Sequence, residues 1–382
     1  MPNPDKLMIF LTLWILIRMS KKLIIAGGGT GGHIFPAIAI ANAVKLKQPN
    51  YDILFVGAKG KMEMDKVPKE GYRIIGLDIA GMNRSSLIKN IFLPFKLLKS
   101  FMQARKVLNE YNPHAVVGVG GYASFPVLYW AQKRKIPTLI QEQNSFAGKS
   151  NKILGRMADV ICVAYDGMER FFPKQKIVFT GNPVRKNIAQ PSSKTEALSF
   201  FQLNANQKTV FAFGGSLGAK SINESLRSNF KDILNTGAQL IWQTGTPFYA
   251  IAKEAVEGYE SQVKVYEFIR EMDLAYAAAD VIIARAGASS ISELARIGKP
   301  VVFVPFPFAS EDHQTHNAMS LVQKSAARLV PDGEAKETLV STIIHLLKNE
   351  EESRNLSQHL KPLGIANADD RIADLLIKIM NT

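Results

Sequence analysis

The chain has 382 residues, more than one hydrophobic core usually serves, so two domains of roughly 150 to 200 residues are expected. Its 47% apolar and 21% charged residues are those of an ordinary folded protein, which excludes a disordered or low-complexity chain, and no short repeat is present. A formal charge of +14 calls for an anionic partner: nucleic acid, acidic lipid or a phosphorylated substrate.

The first element is an almost unbroken apolar run, Leu7 to Ile17, followed by Arg18, Lys21 and Lys22. It falls short of the ~20 residues that cross a bilayer, and no small-x-small cleavage site follows it. Two readings stay open: a translation start placed ahead of Met19, or a membrane-surface anchor.

From Lys22 onward, short β-branched runs alternate with helical periodicity, the pattern of a parallel sheet with crossover helices. Leu23-Ile-Ile-Ala reads as a strand, Gly27 to Gly32 as a turn, and Ile34, Ala37, Ile38, Ala41 and Val44 as one face of a helix. Further strands are expected at 53–56, 115–118, 138–140, 160–163 and 177–179. Cys162, the single cysteine, lies in one of these runs and is expected in the core, as suits a reducing compartment. After Arg185 a polar stretch from Gln190 to Glu196 looks like a linker. A second series then opens with Thr209-Val-Phe-Ala-Phe and Gly214-Gly-Ser-Leu-Gly218, followed by strands at 239–242, 263–266, 281–284 and 301–304. Two similar doubly wound α/β halves follow, with ligands expected at the carboxyl ends of their strands, in the cleft between them.

Gly27-Gly-Gly-Thr-Gly-Gly-His33, between a strand and a helix, suits phosphate through backbone N–H groups and the helix N-terminus. It also fits the dinucleotide fingerprint, yet no carboxylate closes the second strand, which disfavours NAD. A tight turn without a ligand is the plainer alternative. Gly118-Val-Gly-Gly-Tyr122 and Gly214-Gly-Ser216-Leu-Gly218 are further loops of this kind, so two phosphorylated ligands, or one large one, are indicated. His33 sits where an imidazole can act as general base or serve only as a structural hydrogen-bonding group. Arg185 can stabilise a departing diphosphate or form a surface ion pair. Glu293 has two readings, a capping box with Ser290 or a carboxylate for ribose hydroxyls. Neither a metal-ligand cluster nor Asp-x-Asp is present; His313, His316 and nearby Asp312 make a poor zinc site. Residues 82–106 mix large apolar side chains with Arg84, Lys89, Lys96, Lys99, Arg105 and Lys106, which suits either an anionic membrane surface or a core helix with a solvated basic face. No nucleic-acid motif accompanies the charge.

Taken together, Gly-Gly-Thr-Gly-Gly-His (28–33), Gly-Gly-Tyr (120–122), Glu-Gln-Asn (142–144), Gly-Asn-Pro-Val-Arg (181–185), Gly-Gly-Ser-x-Gly-Ala (214–219), Ser-Glu (292–293) and Gln-x-x-Asn (314–317) closely resemble the UDP-N-acetylglucosamine:undecaprenyl-pyrophosphoryl-N-acetylmuramyl-pentapeptide N-acetylglucosaminyltransferase family. The resemblance runs from about residue 22 to the C-terminus. It implies a GT-B fold, two Rossmann-like doubly wound parallel-sheet domains facing across a cleft. The expected divisions are an apolar extension (1–20), an acceptor and membrane domain (21–186), a donor domain (187–360) and a C-terminal helix crossing back (361–382). It also implies inverting transfer of N-acetylglucosamine to the 4-hydroxyl of lipid I, giving lipid II and UDP, with no cofactor or metal.

By matching position, Ile269 would meet uracil and Glu293 the ribose. Arg185, Ser216 and the turn Ala288, Ser289, Ser290 would lie along the diphosphate. Asn144, Gln314 and the Thr30, Gly31, Gly32 loop would face the sugar, and His33 would deprotonate the acceptor. Gly28, Gly29, Gly120, Gly121 and Tyr122 would hold the acceptor diphosphate. The implied setting is peripheral, on the cytoplasmic face of the bacterial inner membrane, with an anionic membrane surface and cell-wall synthesis or division proteins as further partners and no nucleic acid. Gln141 departs from the family, where histidine often precedes Glu-Gln-Asn. The competing readings are a GT-B transferase with another lipid acceptor, a UDP-N-acetylglucosamine epimerase, or a non-catalytic nucleotide-sugar-binding subunit.

Overall fold

The structure is a computed structural model that describes residues 20–79, 93–185, 188, 192–215 and 217–381. The apolar run before Met19, residues 82–92 of the apolar and basic segment, and Ser216 lie outside the described residues.

The chain divides into two compact units. The first comprises the described residues of Met1–Gln143, Ala147–Pro183 and Asn367–Thr382, and the second those of Asn144–Phe146 and Val184–Ala366. Each is built on one parallel sheet, as the alternation of strand and helix patterns predicts.

In the first unit the strands are β1 (Lys22–Ala26), β2 (Asp52–Ala58), β3 (Arg73–Leu77), β4 (Ala115–Gly118), β5 (Thr138–Glu142), β6 (Val160–Val163) and β7 (Ile177–Phe179). They lie in the order β3-β2-β1-β4-β5-β6-β7, so the direction of winding reverses between β1 and β4. The second unit carries β8 (Thr209–Phe213), β9 (Gln239–Gln243), β10 (Val263–Tyr266), β11 (Val281–Ala284), β12 (Val301–Phe303) and β13 (Arg328–Leu329). Their order is β10-β9-β8-β11-β12-β13, with the reversal between β8 and β11. At such a switch point the connections leave on opposite faces, which opens a crevice at the strands' carboxyl ends. The glycine-rich turns after β1, β4 and β8 leave from these positions.

Burial exceeds the single helical face read from the sequence. In the helix Gly31–Lys47, Pro36, Ile40 and Ala43 are buried besides the expected Ile34, Ala37, Ile38, Ala41 and Val44. The cause is tertiary: the C-terminal helix Ala368–Asn381 packs on its outer side, and Ile372, Ala373, Leu376 and Met380 join the same core. Ile372, Leu376 and Met380 each contribute ~1.5–3 kcal/mol relative to exposure, and Ala373 less. Cys162 is fully buried in that core, and burial pushes its thiol up to about 12. Of the stretch expected as a linker, residues 192–196 are described, and the last three of them open a helix. Ser193 caps the helix Lys194–Phe200 by accepting the Glu196 N–H at 3.1 Å, because Ser-x-x-Glu there satisfies the first helical turn.

Candidate active site

Because β1 and β4 are neighbours, the turns that follow them meet. The Gly28 N–H donates to the Gly120 carbonyl at 3.2 Å. A Cβ on Gly121 would stand 2.2 Å from the Gly28 carbonyl oxygen, and one on Gly120 would stand 2.8 Å from His33 Cδ2. Both residues also have positive φ, 90° at Gly120 and 83° at Gly121, so glycine is required on two counts. The motifs 28–33 and 120–122 are thus one packed unit with His33 at its edge. Tyr122 beside them is exposed.

His33 lies in the first turn of the helix Gly31–Lys47, after the extended N-cap Thr30. Its Nδ1 is 3.2 Å from Thr30 Oγ1. A base acting at Nε2 requires the proton on Nδ1, and Thr30 Oγ1 is placed to accept it.

The amides of the first glycines are committed inside the unit. Gly27 N–H donates to the Val56 carbonyl at 3.0 Å, Gly28 N–H to Gly120, and Gly29 N–H to Glu63 Oε2 at 2.9 Å. In the first turn of the helix Gly31–Lys47 the His33 and Ile34 N–H groups both donate to the Thr30 carbonyl at 3.1 Å, so the leading amides left to meet an anion are those of Gly31 and Gly32. Glu63, fully buried, also accepts the Ala58 N–H through Oε1 at 3.0 Å. A Cβ on Gly28 would fall 2.4 Å from its carboxyl carbon, so this acid and that glycine are matched. Nothing in the local sequence singles out Glu63, because its partners lie at the ends of two other elements.

Glu142, Gln143 and Asn144 have three separate tasks. Glu142 Oε2 accepts from Asn151 Nδ2 at 2.8 Å. Gln143 Nε2 donates to the Val119 carbonyl at 2.7 Å, fixing the second glycine turn from below. Gln141, the departure from the family pattern, is buried and donates through Nε2 to Asn182 Oδ1 at 2.8 Å, while Asn182 Nδ2 donates to the Gln143 carbonyl at 3.0 Å. Asn144 belongs to the second unit, where its Oδ1 accepts from Asn317 Nδ2 at 3.1 Å. Asn317 is fully buried, and its Oδ1 accepts both the Ser145 N–H at 2.8 Å and the Ser145 hydroxyl at 3.1 Å.

The helix His313–Val322 carries Gln314 one turn before Asn317, which sets two polar side chains on one face. Gln314 Oε1 accepts the Phe306 N–H at 2.9 Å. Two residues entering this helix, Glu311 and Asp312, hold positive φ of 54° and 52°. Such backbone persists only where its surroundings impose it. His313 Nδ1 lies 2.7 Å from the Ser310 carbonyl, and His316 stacks on Phe146. Among the described residues, no group of three or more His, Cys, Asp or Glu side chains is arranged to hold a metal ion.

Arg185 and Glu293, expected at different parts of one ligand, meet in the second unit. Arg185 Nε donates to Glu293 Oε1 at 2.7 Å, Nη2 donates to Oε2 at 2.8 Å, and the Tyr276 hydroxyl donates to Oε2 at 3.0 Å. Burial and then the Glu293 charge push the Tyr276 phenol well above its ordinary value, so it remains a donor. The capping box is not formed: the helix Ala288–Ile297 starts after N-cap Gly287, which places Glu293 in the second turn, beyond reach of the first amides. Ser289, in the first turn, has a buried hydroxyl oxygen with no hydrogen-bond partner among the described residues. Ile269 N–H donates to Gln243 Oε1 at 2.9 Å. Sequence reading missed Glu63, Gln243 and Tyr276 and gave Gln143, inside the motif 142–144, no role of its own; each acts on a neighbour distant in the chain.

The N-terminal domain of glycosyltransferase family 28 matches residues 23–163, and the C-terminal domain of that family matches residues 209–372. The chain is 49% identical, over 94% of its length and 98% of the relative's, to the UDP-N-acetylglucosamine–N-acetylmuramyl-(pentapeptide) pyrophosphoryl-undecaprenol N-acetylglucosamine transferase of Parabacteroides distasonis. It is 50% identical to the protein of that name from Phocaeicola vulgatus, over 94% of this chain and 96% of the relative. The crystal structure of Acinetobacter baumannii MurG superposes with a TM-score of 0.77 at 30% identity, covering 94% of this chain and 99% of that one.

Proposed function

Because the chain belongs to glycosyltransferase family 28, carrying both of that family's domains in order, we propose that it performs the reaction for which its relatives are named. N-acetylglucosamine passes from UDP-N-acetylglucosamine to the N-acetylmuramyl-pentapeptide of pyrophosphoryl-undecaprenol, lipid I, and UDP leaves as lipid II forms. One observation carries the donor assignment. Asn144, Arg185, Ile269, Ala288, Ser289, Ser290, Glu293 and Gln314 all fall in the second unit, although Asn144 is separated from the rest in sequence.

The reaction is a single displacement at the anomeric carbon. His33 takes the proton of the acceptor 4-hydroxyl, whose oxygen attacks with inversion. Negative charge developing on UDP is met by Arg185 and by the N-terminus of the helix Ala288–Ile297, with the Ser289 hydroxyl as a further donor. Glu293 holds the ribose hydroxyls, and Asn144 and Gln314 hold the sugar, with Thr30, Gly31 and Gly32 completing the donor contacts. The acceptor diphosphate lies on the turns containing Gly28, Gly29, Gly120, Gly121 and Tyr122, drawn by the leading amides of the helix Gly31–Lys47.

The acceptor lipid places the chain on an anionic membrane surface, the cytoplasmic face of the inner membrane. The helix Leu93–Tyr111 supports this: Phe95, Leu98 and Met102 form an exposed apolar stripe beside Lys96, Lys99, Arg105 and Lys106. No helix among the described residues is long and apolar enough to cross a membrane. The test is a transfer reaction with the purified chain alone, UDP-N-acetylglucosamine labelled in the sugar, and lipid I. Label in the lipid phase is expected; donor binding without transfer to any lipid acceptor would make the chain a nucleotide-sugar-binding subunit.

A further inference from the structure

We infer that Gln243 is a positioning residue that sets the base selectivity of the donor site. This rests on the reading that Ile269 meets the nucleobase and the turn after β8 meets the diphosphate. Gln243 ends β9, which lies between β10 and β8. A side chain at that end therefore lies between the connection that carries Ile269 and the glycine turn Gly214–Gly218. Gln243 is buried and engages both: Oε1 accepts the Ile269 N–H at 2.9 Å, and Nε2 donates to the Gly215 carbonyl at 3.2 Å.

Two chemical consequences follow. The Ile269 N–H is consumed inside the unit, so the group this peptide offers to a base edge is its carbonyl. A carbonyl accepts from the ring N–H of uracil and repels the ring nitrogen lone pair that cytosine presents at the same position. The Gly215 carbonyl, which also accepts from Gly218 N–H at 3.1 Å, has both lone pairs engaged and opposes a nearby phosphate less. Only a carboxamide of this length does both. A carboxylate keeps the Ile269 bond but turns a second negative oxygen on Gly215, and a thioether makes neither bond.

The experiment measures affinities of the full chain for uridine, UDP and CDP by titration calorimetry, with thermal unfolding in parallel, for the unaltered protein, Gln243→Met and Gln243→Glu. The unaltered protein is expected to prefer UDP to CDP. In Gln243→Met the freed Ile269 N–H can donate to cytosine, and the preference falls roughly tenfold, the worth of one hydrogen bond. In Gln243→Glu the preference is kept and uridine binds as before, while UDP and CDP weaken together. An unchanged UDP-to-CDP ratio in a folded Gln243→Met overturns the inference. Should Gln243→Met fail to fold, Gln243→Glu decides, and equal weakening of uridine and UDP overturns it. Failure of the unaltered protein to bind UDP would instead sink the donor reading; tight UDP binding without preference over CDP would sink only the role of Gln243.

Discussion

Arg185 closes a two-pronged ion pair on Glu293, with contacts of 2.7 and 2.8 Å between side chains 108 positions apart. Glu293 is buried and Arg185 is 40% exposed, so solvent screens the pair and its net contribution to stability is about 1 kcal/mol or less. Its consequence lies in binding. In the proposed site both side chains contact the donor, and each already has its counter-charge, so UDP-N-acetylglucosamine would have to share or displace that contact. Glu293→Gln is expected to raise the donor KM by about tenfold or more, the loss of charge-assisted hydrogen bonds, with the acceptor KM little changed. An unaltered donor KM would leave Glu293 a structural partner of Arg185 only.

Tyr276 bears on the same carboxylate. Its hydroxyl is 3.0 Å from Glu293 Oε2 and its ring is fully buried against Phe211 and Phe213. Tyr276→Phe removes one hydrogen bond without a cavity, at a cost of about 1 kcal/mol. A several-fold rise in donor KM at constant kcat is expected. A fall in kcat alone would mean that Glu293 does not act through ground-state donor binding.

His33→Ala is expected to lower kcat by roughly 10² to 10⁴, the usual contribution of a general base, while UDP affinity stays unchanged. Thr30→Val tests how the imidazole is set. Loss of the Oγ1 acceptor should lower kcat less than His33→Ala does and leave no further effect when the two changes are combined. Additive losses would separate the two residues.

Glu63 should govern the acceptor turn. In Glu63→Gln one of the two backbone N–H groups of Ala58 and Gly29 faces an amide nitrogen instead of an oxygen, at a cost of about 1 to 3 kcal/mol. A lower unfolding temperature and a raised lipid I KM are expected, with UDP affinity intact. Equal weakening of donor and acceptor would place its influence elsewhere.

Membrane attachment is testable on the exposed stripe. Replacing Phe95, Leu98 and Met102 together by Ser removes exposed apolar surface and should leave the unfolding temperature nearly unchanged. Sedimentation with vesicles containing anionic lipid should fall by an order of magnitude or more, with ~1.5–3 kcal/mol available from each inserted side chain. Undiminished sedimentation would assign the stripe no part in binding.

The fold was legible because both halves announce themselves: β-branched runs, glycine turns and helical periodicity recur in order, and the two parallel sheets follow. The edge strands β3 and β13 were not, since Arg73-Ile-Ile-Gly-Leu is half exposed and Arg328–Leu329 is too short to carry a pattern. Ser-x-x-Glu shows why local motifs mislead. At Ser193 it caps a helix; at Ser290 the same spacing lies inside one, because Gly287 has already begun the turn. Glycine turns could be read from composition, whereas the side chains that hold them could not. Glu63, Gln143 and Gln243 reach their partners through sheet order, which no short window of sequence encodes.

The most direct measurement follows UDP release and lipid product together, with UDP-N-acetylglucosamine supplied in the presence and absence of lipid I. One UDP per lipid-linked disaccharide, and none without the acceptor, is the expected result. UDP released without lipid I, or N-acetylglucosamine epimerised while still attached to UDP, would contradict transfer to that acceptor as the chain's activity.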